Sequence, residues 1–204
     1  MDLRIERGKT TRERLISVAF DLFGAHGYEA TSVGAILERA GLARGAFYHH
    51  FTSKADLFDA VLDRVIAGLA TASAVAARTH KDPGEALRAG CAAWLDAALD
   101  PAIQRIVFIE GASVLGYDRY REIDDGHTLG GLKASMRALA RAGRIPEHGA
   151  EILAHMIAGA VGEATKLIVN ADNQTAARKA GQEALDTLLG RLLSGQPDDR
   201  QAKR

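Results

Sequence analysis

The sequence predicts an all-α chain, on three observations. Apolar residues recur at helical spacing over most of the 204 residues. Proline is scarce, four in all, and two of the four follow an aspartate in the Asp-Pro pair that opens helices. Only 5% of residues are aromatic, so a hydrophobic fraction of 47% rests on Ala, Leu, Ile and Val, of which Ala and Leu are strong helix formers.

Composition narrows the class further. A chain of 204 residues can bury a sizeable core in one or two domains. Lys plus Arg number 26, as do Asp plus Glu, so an argument for a polyanionic partner must rest on local placement. The single cysteine, Cys91, excludes an internal disulfide and fits a reducing cytoplasm. No basic N-terminal start leads into an apolar stretch, and no apolar run approaches the roughly 20 residues of a membrane span. The expected location is cytoplasmic, with no membrane partner.

Taken in order, residues 1–8 are polar and expected to be loose. Thr10, with Glu13 three residues on, reads as a capping box. The helix it opens carries Leu15, Ile16, Ala19, Phe20 and Phe23, and Gly27 ends it. Thr31 and Ser32 are N-cap candidates for a helix through Val33, Ile36 and Leu37 to Ala40, where Gly41 supplies a left-handed stop. A short helix covers Arg44 to His50. Ser53 and Asp56 cap a long one with Leu57, Val61, Val65 and Leu69 on one stripe. It reaches Arg78, roughly 37 Å on, enough to connect two parts of a molecule. Asp82-Pro83 and Asp100-Pro101 open the next two helices. Further helices are expected over 118–142, bent near Gly126, Gly130 and Gly131, then over 147–171 and 175–194. The polar tail, 196–204, has nothing to bury and is expected to be disordered.

The helices before and after Ala40-Gly41-Leu42-Ala43 have the helix-turn-helix pattern. Ile36, Leu42 and Phe47 should lock the pair, with Ala40 small enough for a close crossing. The second helix is then free to enter a major groove. Phe47 and Phe51 are expected to face inward, and Tyr48 and His49 outward. Arg44 can bond a guanine edge twice. Tyr48 and His49 can reach phosphate oxygens, and His49 also a base edge. Gly45 lets the backbone approach the duplex. Lys54, in the first turn of the next helix, opposes the helix dipole, a placement that makes sense beside a phosphate.

Residues 10–66 resemble the DNA-binding domain of the TetR family of transcriptional regulators. The matching residues are Thr31, Ile36, Ala40-Gly41-Leu42, Gly45, Tyr48-His49-His50-Phe51 and Lys54. The resemblance implies that Thr31 and Ser32 anchor the first helix of the pair on phosphate. It implies that Arg44, Gly45 and His49 face bases, and that Tyr48 and Lys54 hold the backbone. Two positions depart from the family pattern. Ala43 stands where Ser or Thr often caps the recognition helix, and Leu37 replaces a usual alanine.

The resemblance completes the expected fold class: an all-α chain with an N-terminal three-helix helix-turn-helix DNA-binding domain, 1–53, and a larger helical ligand-binding and dimerisation domain, 54–195. It implies a homodimer on a pseudo-palindromic double-stranded DNA operator and a small-molecule effector. Few charges mark the expected cavity, so the effector is expected to be mainly apolar or aromatic. Candidate ligand contacts are Trp94, Val107, Phe108, Glu110, Tyr117, Tyr120, His127, Met136, His155 and Met156, each of which also fits core packing. Glu110 shares a face with Ile103 and Val107, and could take a cation or pair with Arg119 or Arg121. The last two helices carry apolar stripes wider than one seam requires, and Ile157, Val161, Leu185, Leu188, Leu189 and Leu192 are the expected dimer contacts. No cofactor, metal site or catalytic group is expected. Histidines at H-x-x-x-H spacing are absent, and Cys91 reads as a buried structural thiol. A dimeric repressor released by its effector is the leading expectation. A ligand-independent regulator or an activator is the alternative, and an all-helical enzyme a distant one.

Overall fold

The computed structural model describes residues 3–194, with side chains from Thr10 onward. The expected disordered tail, 196–204, and the side chains of Arg4, Arg7 and Lys9 lie outside the described residues. The elements are α1 (Leu3–His26), α2 (Val33–Ala40), α3 (Arg44–His50), α4 (Lys54–Arg78), α5 (Pro83–Ala97) and α6 (Pro101–Ile103). A π-helical segment (Gln104–Glu110) follows, then α7 (Gly111–Leu115), α8 (Tyr117–Arg141), a 3-10 turn (Glu147–Gly149), α9 (Ala150–Val169) and α10 (Gln174–Ser194). No strand occurs among the described residues.

Three features differ from the sequence reading. Helix α1 begins at Leu3, so Thr10 lies inside it rather than capping it; the upstream Leu, Arg and Glu residues are helix formers and carry the winding further. The stretch after Asp100-Pro101 is broken, changing to π winding at Gln104 and back at Gly111. Two helices, Lys54–Arg78 and Glu147–Val169, are long and apolar enough in composition to cross a membrane. They bury apolar faces in protein cores, as the helices of a water-soluble bundle also do.

The chain packs as two compact units, each described by itself. The first joins residues 3–66 with 100–123. Its core is Leu15, Ile16, Ala19, Phe23, Ile36, Ala40, Phe47, Phe51, Leu57, Phe58, Val61, Leu62 and Ile66, with Ile106 and Val107. The start of α4 and the 100–123 segment therefore pack with the helix-turn-helix, although the sequence reading assigns them to the second domain. Phe58 explains the α4 part: its ring meets Phe23 at 5.3 Å and Tyr28 at 5.3 Å, both edge-on. Truncating a buried Phe of this kind costs about 3–5 kcal/mol.

The second unit joins 67–99 with 124–194. Leu87, Cys91 and Leu95 of α5, Met136 and Leu139 of α8, Ala154, Ile157 and Val161 of α9, and Leu185, Leu189 and Leu193 of α10 form its core. Gly126, Gly130 and Gly131 lie within the uninterrupted α8. Ion pairs tie its margins: Arg88 Nη1 to Asp186 at 3.3 Å, Arg178 Nε to Asp96 at 2.7 Å and Arg144 Nη1 to Asp82 at 3.3 Å. Arg144 Nε also donates to Leu193 O at 3.3 Å, satisfying a carbonyl at the end of α10.

Candidate DNA-binding face

Local chemistry shapes the α2–α3 pair. Ser32 caps α2, its Oγ accepting the Ala35 N–H at 3.1 Å. At the other end Gly41 takes φ 62°, a conformation that favours glycine. Its N–H reaches Glu38 O at 3.1 Å and the Leu42 N–H reaches Leu37 O at 3.0 Å, closing the free carbonyls of α2. The chain then enters α3 through Ala43, which provides no side-chain cap.

Helix α3 is sharply two-sided. Phe47 is fully buried, with the Phe51 ring 5.8 Å away beneath the same face. Arg44, Gly45, Tyr48 and His49 are exposed together on the other side, Tyr48 to 53%. The Arg44 guanidinium rests 5.7 Å from the Tyr48 ring centroid. A methyl group added at Gly45 meets no atom within 4 Å, so the free protein does not need glycine there; close approach by another molecule is what would require it. The His49 and His50 rings lie 4.9 Å apart. Half-buried His50 holds its proton less readily than an ordinary histidine, through burial first, then neighbouring His49 and Arg12.

Two expected phosphate contacts are turned inward. Thr31 is 2% exposed, and its hydroxyl faces Gly27 O at 2.8 Å and Leu22 O at 3.2 Å. It ties α2 to the end of α1 and does not present its hydroxyl to solvent. Lys54 Nζ donates to Tyr28 O at 2.8 Å and lies 4.0 Å from the Tyr28 ring centroid. Its awkward position in the first turn of α4 is explained inside the protein. Both residues brace a corner of the fold. Arg12, 5.3 Å from the Phe51 ring centroid, adds an exposed cation beside α3.

Comparison with known proteins bears on this arrangement. Residues 15–61 match the family described as bacterial regulatory proteins, tetR family. Residues 84–192, more than half of the chain, match the family described as tetracyclin repressor-like, C-terminal domain. The chain belongs to the TetR family. A TetR-family transcriptional regulator of Pectobacterium atrosepticum, of known structure, is 32% identical, with 94% of this chain and 98% of that one covered and a TM-score of 0.81. The transcriptional activator FasR of Mycolicibacterium smegmatis is 36% identical over 85 residues, 42% of this chain and 39% of that protein. The transcriptional repressor ComR of Escherichia coli is 46% identical over 55 residues, 27% of this chain and 26% of that protein. The alignments to these two curated relatives thus span less than half of their length. Like its relatives, this TetR-family chain is a DNA-binding transcriptional regulator and not an enzyme.

The other expected sites of this TetR-family chain are redistributed by the fold. Of the dimer candidates, Ile157, Val161, Leu185 and Leu189 are buried in the second unit's own core, and Leu192 is half-buried against it. Only Leu188 faces out, at 46%. The outward apolar residues are instead Ile152, Met156 and Leu167 on α9 with Leu188 on α10. Between these helices lies a groove of about 460 Å³, lined by Ala160, Glu163, Ala164, Leu167, Ala177, Ala180, Gly181, Ala184, Leu185 and Leu188.

The ligand candidates do not gather at that groove. Val107, Phe108, Glu110, Tyr117 and Tyr120 belong to the first unit, and Trp94, His127, Met136, His155 and Met156 to the second. Met136 is fully buried in the core, while Tyr117, His155 and Met156 are exposed. Tyr120 covers Gly111, where an added methyl would meet its ring at 3.0 Å. Glu110 accepts the Tyr28 N–H at 2.9 Å, and Arg119, one of the two arginines expected to pair with it, binds Asp59 at 2.6 Å and Glu122 at 2.7 Å instead. Cys91 is buried, and burial, with Asp186 nearby, pushes its thiol up to about 12, so it stays protonated at neutral pH and is a poor nucleophile.

Proposed function

We propose that this regulator binds a pseudo-palindromic duplex operator as a homodimer, laying one α3 helix from each subunit in the major groove, and acts as a repressor released by a small, mainly apolar or aromatic effector. The observation that carries the reading is the two-sided α3: an apolar side sunk in the core, and Arg44, open Gly45, Tyr48 and His49 together on the outside. Arg44 reads a guanine edge, Tyr48 holds a phosphate, and Gly45 gives the backbone room to approach. Ser32, exposed at the start of α2, adds a phosphate contact. The subunits meet through α9 and α10, where Ile152, Met156, Leu167 and Leu188 of one copy fill the small-residue groove of the other. Such a pair works in the cytoplasm, where its DNA lies.

The experiment is selection of bound sequences from a pool of random duplexes, repeated with a panel of small aromatic and apolar compounds. An inverted repeat should emerge, and at least one compound should depress its recovery. A pool that emerges unenriched rejects DNA binding. Activation is kept as a second reading because the FasR relative is named as an activator; a reporter placed downstream of the recovered operator distinguishes the two signs.

A further inference from the structure

The end of α1 is finished by side chains far away in sequence. A helix leaves its last carbonyls without partners. Here Arg105 Nη1, from the π-helical segment, donates to Gly24 O at 3.2 Å and Ala25 O at 2.6 Å. A cation at this position also faces the negative end of the helix dipole. Gly27 then turns the chain at φ 87°. The backbone of the next residue, Tyr28, is held at both its polar groups: Glu110 Oε2 accepts the Tyr28 N–H at 2.9 Å, and Lys54 Nζ donates to Tyr28 O at 2.8 Å. Arg105 and Glu110 both close over Gly27, where an added methyl would lie 2.7 Å from Glu110 Oε1 and 3.7 Å from Arg105 Cδ. At Gly24 an added methyl would come 2.5 Å from the Ala102 side chain, so the two segments touch along this edge.

The unusual winding is what lets both residues reach. They are five positions apart. In an α-helix, at about 100° per residue, they would point roughly 140° away from each other. Bonding of the i to i+5 type stacks residues five apart on one side. Gln104–Glu110 is wound that way, and Arg105 and Glu110 meet the same corner. The corner matters because Ser32 and α2 begin just beyond it, and α3 follows from α2 through the fixed Gly41 turn.

We propose that Arg105 and Glu110 are positioning residues for operator recognition: from one side of the π-helical segment they hold the end of α1 and the Tyr28 peptide, and so fix the orientation in which α2 and α3 meet the duplex. The inference rests on the operator-binding reading above. Sequence-specific contacts need α3 placed to a fraction of a hydrogen-bond length, whereas non-specific attraction to phosphates does not. Losing the grip therefore lowers specific affinity far more than general affinity. Rewinding the segment to α has the same effect as removing one of the two side chains, because only one of them can then face the corner.

The test uses the full chain, the operator recovered from the random pool, and a scrambled duplex of equal length, at fixed salt. Glu110→Ala and Arg105→Met are compared with the parent by fluorescence anisotropy, after circular dichroism has established their helix content and Tm. Each is expected to raise the operator Kd about tenfold or more while leaving the scrambled-duplex Kd within about twofold. Glu110→Gln, which keeps an oxygen acceptor for the Tyr28 N–H, is expected to stay within about threefold to fivefold of the parent. Folded Glu110→Ala and Arg105→Met whose operator Kd stays within about twofold of the parent overturn the proposal, as does an equal loss on both duplexes. Should Glu110→Ala and Arg105→Met fail to fold, Glu110→Asp, whose shorter side chain falls short of the Tyr28 N–H, and Arg105→Lys take their place; a loss of about threefold or more on the operator alone is expected, and an operator Kd within about twofold of the parent from both sinks the idea. A parent protein that prefers no duplex overturns the DNA-binding reading and this inference with it, whereas a discriminating parent matched by its variants overturns this inference alone.

Discussion

At the scale of single residues, the proposed operator contact divides the outward side of α3 into readers and holders. Arg44→Ala is expected to relax sequence preference at one or two base positions, by about 1–3 kcal/mol, in a selection or competition assay. Tyr48→Ala is expected to weaken all duplexes alike while leaving the salt dependence of binding unchanged, since a neutral phenol releases no counterion. An Arg44 variant with unaltered preference would show that α3 enters the groove some other way. Ala43 offers a gain: Ala43→Ser supplies the missing cap and is expected to stabilise the protein by about 1 kcal/mol in urea unfolding. His50 gives the pH dependence. Its affinity for a proton is lower in the folded protein than the ordinary 6.5, so the unfolded chain binds more protons below that value. Stability from this residue is fully present above about pH 6.5 and is lost as pH falls below it toward the folded value. His50→Gln is expected to reduce that acid-side loss in unfolding curves run at several pH values. What was legible in the sequence is local placement: the spacing that turns Arg44, Tyr48 and His49 outward, a turn glycine and a missing hydroxyl. The internal hydrogen bonds of Thr31 and Lys54 were not legible, since the carbonyls they bind belong to a corner that only the folded chain brings to them.

At the scale of elements, the cleanest reading was the α2–α3 pair and the least clean was the stretch 101–115. A hydrophobic period within one window reports which residues share a side of an α-helix. It carries no mark of a change to π winding, and partners some 80 residues away, such as Gly24 and Tyr28 for Arg105 and Glu110, leave no trace in it. The last two helices show a different limit. Their apolar stripes were recognised, yet a stripe buried on one side and exposed on the other has two edges that composition does not tell apart. Ile157, Val161, Leu185 and Leu189 fell on the inner edge, and Ile152, Met156 and Leu167 on the outer one. The distinction can be tested. Leu167→Glu with Leu188→Glu places charges on the exposed side and is expected to give folded monomers in sedimentation experiments. Leu189→Ala, by contrast, hollows the core and is expected to lower stability by about 2–5 kcal/mol without a primary effect on association. Dimers that survive the double substitution would move the interface away from α9 and α10.

At the scale of the whole molecule, a chain of zero net charge must find DNA through the placement of its cations, not through their number. Its affinity is therefore sensitive to anything that moves α3, and the effector we propose would act by favouring an arrangement in which two copies of α3 no longer fit one operator. Linkage makes this quantitative. An effector that weakens operator binding by some factor must itself bind the operator-bound protein more weakly by the same factor, whichever route joins the two sites. A compound found to depress operator recovery should then show matched ratios: operator Kd with and without saturating compound, and compound Kd for free and operator-bound protein, each by calorimetry. Finite ratios, with compound and operator bound to the same protein, identify coupling between two distinct sites, whereas a compound that bound operator excludes altogether competes for one site. A compound whose own affinity is indifferent to the operator cannot be shifting that equilibrium. Its effect on recovery would then come from binding to the duplex itself, which titration of the compound into operator alone, by the same calorimetry, would reveal.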